Sequence, residues 1–316
     1  MIWLWLALSA SATQVEQDMV QCPIGDEPVR IHRLISRNTA GWDSDGARYA
    51  SDGQWRSYDI ATCPNNLLSL YSADMGKELP AEDTTRLAPF LAGLQTEGID
   101  ADKLALWQRY ELAARAYDAL GRDDKTVAYA YLRASWSVRD AIVVGGMEGL
   151  RGPAHARLML EQARPVLTQN LPASQRKILL FNLAKIAHRA GLDGDRAEFV
   201  AEIGKLKPHT QAEQDAIVAL TTLAAVEATY QDKAIARLAD PAKTDLGAAY
   251  LLADLLRRRK HPEQALVLFD RVAKDPESDD ALRQMSTYLA AELRGERPWQ
   301  QKKAERLMEA APEIVP

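Results

Sequence analysis

Cysteine is scarce, with two in 316 residues, and no CxxC pair occurs. Histidine is nearly as rare, at five. No two of these histidines stand at i, i+4 and none lies in an HExxH context, which excludes a helical zinc site of that kind. The chain has no GxSxG elbow and no SxxK. Its glycine-rich stretch, Val143 to Gly152, lacks the spacing of a GxGxxG or P-loop phosphate cradle. Positive charge is not in excess either. A net charge of −5 leaves nothing global to draw the chain to nucleic acid or an anionic membrane. The apolar run Ile2 to Leu8 is too short to cross a bilayer. Carboxylates are plentiful, but no pair stands out as acid and base. The residues therefore nominate no catalytic group, no metal ligand set and no cofactor.

What is present is helix. Hydrophobic residues make up 47% and charged residues 26%, so the chain can bury a core and stay in solution. Alanine and leucine dominate after Pro80, whereas tryptophan, glycine and tyrosine crowd between Cys22 and Tyr71. That shift marks a domain boundary. The clearest helical unit is Leu246 to Pro276. Ala249, Leu252, Ala253 and Leu256 fall on one stripe at i, i+3, i+4 and i+7. Arg257 to Lys260 place four cations at the negative helix end. Pro262 opens a second helix, where no N–H donor is needed. Ala265, Leu268, Phe269 and Val272 form its stripe, and Asp275-Pro276 closes it.

Small residues at Ala253 and Ala265, Leu256 between them, Phe269 and the closing Asp-Pro resemble a tetratricopeptide repeat. The resemblance implies helix pairs that hide their apolar faces only by stacking. Further helices are expected over Ala81–Leu94, Leu106–Leu120 with Gly121 as cap, Val127–Val138, Ala154–Asn170, Lys177–Ala190 and Arg196–Leu206. Ala212–Tyr230 is expected to pair with Lys233–Leu238, and Asp279–Leu293 and Gln300–Ala310 to finish the array. Leu183 and Leu252 stand nearly two repeat lengths of about 34 apart. Trp107 and Trp136 read as core or junction aromatics.

Before the helices, Ile2 to Leu8 followed by Ala10-Ser11-Ala12 reads as a secretory signal over residues 1–12, leaving a mature chain from Thr13. Short strands are expected around Val29–Ile35 and Trp55–Ile60. Asp43-Ser44-Asp45-Gly46 reads as an acidic turn with Asx hydrogen bonds rather than a calcium loop, which would need a third acid before the glycine and a distal glutamate. Cys22-Pro23-Ile24-Gly25 mirrors Cys63-Pro64-Asn65-Asn66. With the Trp42/Tyr49 insert, Arg109–Ala114 and Tyr131–Trp136, these turns resemble a bacterial family of unknown function in which a CPxC…CPxCG zinc ribbon precedes tetratricopeptide-like helices. Gly25 and Asn66 occupy the places of two ligands, so zinc is not carried over. Two such turns facing one another imply instead a Cys22–Cys63 disulfide, with reduced thiols or a reactive redox pair as the other readings. Closing that loop is worth about 4 kcal/mol in the chain-entropy model, and export would preserve the bond.

The expected architecture is mostly α: a tetratricopeptide-like α-solenoid over residues 77–316, with a small β-rich, disulfide-stapled knuckle over 13–76. The expected function is a non-catalytic protein–protein interaction scaffold of the bacterial envelope, periplasmic or secreted. It would present a concave helical surface to a peptide or protein, with no nucleic acid partner and peripheral or no membrane contact. Tyr250, Asp254, Arg257 and Arg258 are the contact residues this reading selects. The alternative is a metal-binding or thiol-redox module centred on Cys22/Cys63.

Overall fold

A computed structural model describes residues 13–25, 27–50, 54–143 and 149–301. The expected signal at 1–12, the centre of the glycine-rich break and, from residue 302 on, the expected helix Gln300–Ala310 lie outside the described residues.

The chain opens with an antiparallel hairpin, β1 (Gln14–Gln21) and β2 (Pro28–Ser36). A second, very short hairpin follows, β3 (Gly41–Trp42) and β4 (Arg48–Tyr49). A third pairs β5 (Ile60–Thr62) with β6 (Ser69–Tyr71). The β2 strand matches the apolar alternation at Val29 and Ile31, both buried. Trp55–Tyr58 forms a 3-10 turn rather than the expected strand, and the strand starts only at Ile60. The Trp55 ring is held there by stacking, with the Arg37 guanidinium 4.7 Å from its centroid.

The rest is mostly helical. In chain order come α1 (Ser72–Met75), α2 (Ala81–Thr96), α3 (Leu106–Ala119), α4 (Asp124–Val143), α5 (Gly152–Leu167), α6 (Ala173–Ala190) and α7 (Asp193–Lys205). Then follow α8 (Gln211–Val218), α9 (Ala224–Leu238), α10 (Leu246–Arg258), α11 (Pro262–Lys274) and α12 (Asp280–Leu293). Several ends obey the cap chemistry of the sequence. Gly121 and Gly191 are left-handed after α3 and α6. Asp245 and Asp279 accept backbone N–H bonds at the starts of α10 and α12. Pro262 sits at the first turn of α11.

Neighbouring helices pair as expected in α3–α4, α6–α7 and α10–α11–α12. Other contacts skip along the chain. The α4 helix packs on α9, and α5 meets the turn Pro298–Gln300 near the C-terminal end of the described chain. Nor does the helix break between Tyr230 and Lys233. Instead α8, a π-helical turn at Ala219–Leu223 and α9 run on without a cap, and the irregularity falls inside that rod.

One apolar core joins strands and helices, running from Cys22, Trp42 and Leu68 through Leu132 and Phe199 to Phe269 and Leu289. Trp136 is a junction residue: its ring lies 5.5 Å from the Arg56 guanidinium, and Arg56 in turn pairs with Asp140 of α4 at 2.7 Å. Among the described residues no helix is long and apolar enough to cross a membrane.

Cys22 and Cys63 are bonded, with Cα atoms 5.9 Å apart, and both are buried. The bond joins the two Cys-Pro turns, and the Asn66 amide donates across them to the Ile24 carbonyl at 2.6 Å. It closes a loop with a sequence separation of 41. Replacing both cysteines by serine is expected to lower unfolding free energy by about 2–4 kcal/mol, read from the urea midpoint. An unchanged midpoint would show that the bond adds nothing to the fold.

Candidate functional site

The helix that anchors the sequence reading, α10, is amphipathic by pattern but buried at every residue from Ala248 to Arg258. It packs on α11, where the Tyr250 and Phe269 rings meet edge to face at 5.9 Å. Its polar face carries Tyr250, Asp254, Arg257 and Arg258, at i, i+4, i+7 and i+8. That face is covered by the chain's own acidic turn, the tip of the β3–β4 hairpin.

The turn is a tight loop. Asp43 N–H donates to the Ala47 carbonyl at 2.8 Å and Gly46 N–H to the Asp43 carbonyl at 3.0 Å. Gly46 takes the left-handed conformation the turn requires. Rather than facing water, Asp43, Ser44 and Asp45 are at most 2% exposed. Tyr250 donates to the Ser44 carbonyl at 2.6 Å. The Ser44 hydroxyl donates to Asp254 at 2.9 Å and accepts from Arg258 at 3.0 Å and Arg257 at 3.2 Å. Asp254 also bonds Nε of both arginines at 2.8 Å. All four residues selected from sequence thus meet at one peptide, and that peptide belongs to the same chain.

Three further helices complete the clasp. Arg139 of α4 forks onto Asp45 at 2.7 and 3.0 Å, reaches Asp43 at 2.9 Å and bonds Glu227 of α9 at 2.6 Å. Arg189 of α6 bonds Asp43 at 2.8 Å and lies 3.8 Å from the Tyr49 ring centroid. Tyr49 donates to Asp43 at 2.7 Å. Asp43, Asp45, Glu227 and Asp254 therefore balance Arg139, Arg189, Arg257 and Arg258, four charges against four. His188 bridges outward from this cluster: Arg196 donates to Nδ1 at 2.9 Å, so the ring proton sits on Nε2 and is given to Glu227 at 2.8 Å.

Two glycines make room for the clasp. Gly191, with φ +71, passes so close to α10 that a Cβ would stand 2.7 Å from Arg258 Cγ. Gly152, with φ +73, lies under the Trp42 ring, which any Cβ would strike.

The electrostatics follow from pairing in a dry interior. Burial pushes the Asp45 carboxyl up, but Arg139 and Arg258 outweigh it and hold it well below the usual carboxylate range. Burial acts on Glu227 in the same sense; Arg139 and then His188 overcome it and hold this carboxyl at about 2. Burial alone drives the Tyr250 hydroxyl well above its ordinary value, with the Asp254 charge adding to it.

Beside this cluster a polar cleft of about 350 Å³ opens between the α6–α7 junction, the π-helical turn, α9 and the end of α10. His188, Glu227 and Gln231 line it together with Arg196 and Arg258. The Thr221 and Thr229 hydroxyls in its wall donate to carbonyls of their own helix. Both His188 ring nitrogens are engaged. The arrangement offers hydrogen-bond donors and acceptors for holding a polar group. No family model, curated protein or solved structure matches the chain.

Sequence reasoning missed Arg139, Arg189, His188 and Glu227, and with them the cleft. The available signal was Arg139-Asp140 inside an apolar helix, together with two acids flanked by Trp42 and Tyr49.

Two outcomes are expected. Asp45→Asn or Arg139→Met removes one charge from a buried network balanced four against four and should cost about 3–5 kcal/mol in urea unfolding. A loss below about 1 kcal/mol would show the pair to be dispensable. Glu227, depressed from 4.5 to about 2, supplies stability present above pH 4.5 and lost as pH falls toward 2. The midpoint should be flat at neutral pH and drop through that window, and Glu227→Gln should flatten the drop.

Proposed function

We propose that the protein is a non-catalytic scaffold of the bacterial envelope, built as a tetratricopeptide-like helical array, that binds a peptide or protein partner at the cleft between α6–α7 and α9–α10. The observation that carries this reading is the clasp itself. Side chains from α4, α6 and α10 already hold an acidic tight turn through its carboxylates, its hydroxyl and a backbone carbonyl, which is how a helical surface reads a peptide. The hairpin tip occupies the polar face of α10, so the cleft beside it is where an outside chain would meet helices of the same cluster. Helix pairs with stacking faces, as in α10–α11, support the repeat architecture. The Cys22–Cys63 bond supports an oxidising compartment, periplasmic or extracellular. It also suits the resemblance to the family whose paired Cys-Pro turns form a zinc ribbon: in this chain one bond would take the place of the metal. The burial of both cysteines gives no support to a thiol-exchange module.

A photo-crosslinking residue placed at Thr229, exposed in the cleft wall, should capture a discrete protein from envelope extract. The same residue at Val267, which is 70% exposed on α11, should not. Equal capture from both positions, or none from Thr229, would overturn the assignment of the cleft.

A further inference from the structure

The cleft has a lining whose charge is balanced. Arg196, Arg258 and Arg259 face Asp193, Glu227 and Asp232, three cations against three anions, with His188 bridging Arg196 and Glu227. Its apolar part is small: Ala224, Ala225 and Ala228 leave the space that larger side chains on α9 would fill. Such a lining offers no net attraction to a ligand with strong net charge and gives little to a greasy one. It suits a ligand carrying both signs.

The floor adds direction. Arg258 commits Nε to Asp254 and Nη2 to Ser44, and Gln231 commits its amide N–H to Glu227 at 2.9 Å. Among the described residues no hydrogen bond takes up Arg258 Nη1 or Gln231 Oε1. Both residues are about nine-tenths buried or more, with exposures of 5% and 6%. A donor and an acceptor are thus both present in the lining of a polar cavity, on side chains whose other polar atoms are held by partners. At the rim Arg259 is bound by both oxygens of Asp232, at 2.7 and 3.0 Å, and Arg196 reaches Asp193 at 3.1 Å. These pairs are partly exposed, so opening them to a ligand costs less than opening the buried ones.

We infer that the cleft binds a zwitterionic amino-acid unit, either a free amino acid or a short peptide with unblocked ends. Its carboxylate meets Arg258 and Arg196, and its ammonium meets Asp232 or Asp193. A guanidinium suits a carboxylate because its N–H groups are planar and fixed. Gln231 Oε1 accepts from the ligand's remaining N–H. The inference stands apart from the scaffold reading, since it concerns what the cavity holds and not which protein docks over it.

Calorimetric titration of the full chain tests it with three probes: L-alanine, L-alanyl-L-alanine, and the dipeptide with acetylated and amidated ends. Saturable binding is expected for at least one unblocked probe, tightest for the one whose charge separation matches the cleft, and at least tenfold weaker for the blocked form. Gln231→Leu and Arg196→Met should each weaken the unblocked probe severalfold while the thermal midpoint shows the variants folded. No saturable signal from either unblocked probe up to 10-millimolar-order concentrations, or equal binding of blocked and unblocked dipeptide, overturns the inference. The blocked-versus-unblocked comparison on the unaltered protein decides the question even if a variant fails to fold. Loss of the Thr229 crosslink would count against the scaffold and leave this result untouched.

Discussion

Four arginines from three helices converge on a turn of four residues. Two carboxylates of that turn sit where water cannot reach them, and without Arg139, Arg189 and the Arg257–Arg258 pair they would be among the costliest groups in the molecule. The guanidiniums in turn lose part of their pairing without it: Arg139 would keep only Glu227, Arg257 and Arg258 only Asp254, and Arg189 would lose Asp43. The helices are consequently fixed in position by an element that is not a helix, and their arrangement departs from simple stacking of neighbours at the places where the turn is gripped, α4 against α9 and α6 beside them.

Pairing of this kind brings specificity at the expense of tolerance. A hydrophobic plug of equal volume could hold the same helices together, often with equal or greater stability. A set of forked arginine contacts admits far fewer arrangements, since the planar donors must meet carboxylate oxygens in register. Gly191 and Gly152 belong to the same constraint. Each marks a point where a backbone comes within touching distance of a ring or an arginine stem, and where a methyl group would force the parts away from each other.

Much of the architecture was legible in the chain. Apolar stripes and cap residues placed α2, α3, α6, α7, α10, α11 and α12 to within a few residues, because local periodicity and end chemistry are properties of a short segment. The mirrored Cys-Pro turns led to the cross-link. The acidic turn escaped for a physical reason: Asp43, Ser44 and Asp45 are the residues any surface loop would use, and only partners far away in the chain turn them inward. Tyr250, Asp254, Arg257 and Arg258 were picked out as a contact face and do form one, with an internal occupant. The straight run through Tyr230 was hidden because a π-helical turn leaves no proline or glycine behind.

Ser44 and Asp254 are separated by 210 positions, and Asp43 and Arg189 by 146. A ribosome delivers the turn long before it delivers what receives it. During synthesis the Asp43–Gly46 tip must therefore wait in water as an ordinary hydrated loop. Only when α10 is complete can it leave the solvent, and contacts of such long sequence separation form slowly. The middle helices, with Arg139 and Arg189 already present, spend that interval as an unfinished socket. Folding of this protein is thus keyed to its own C-terminal third, and a chain stopped before Arg258 would carry a turn with an incomplete receiver.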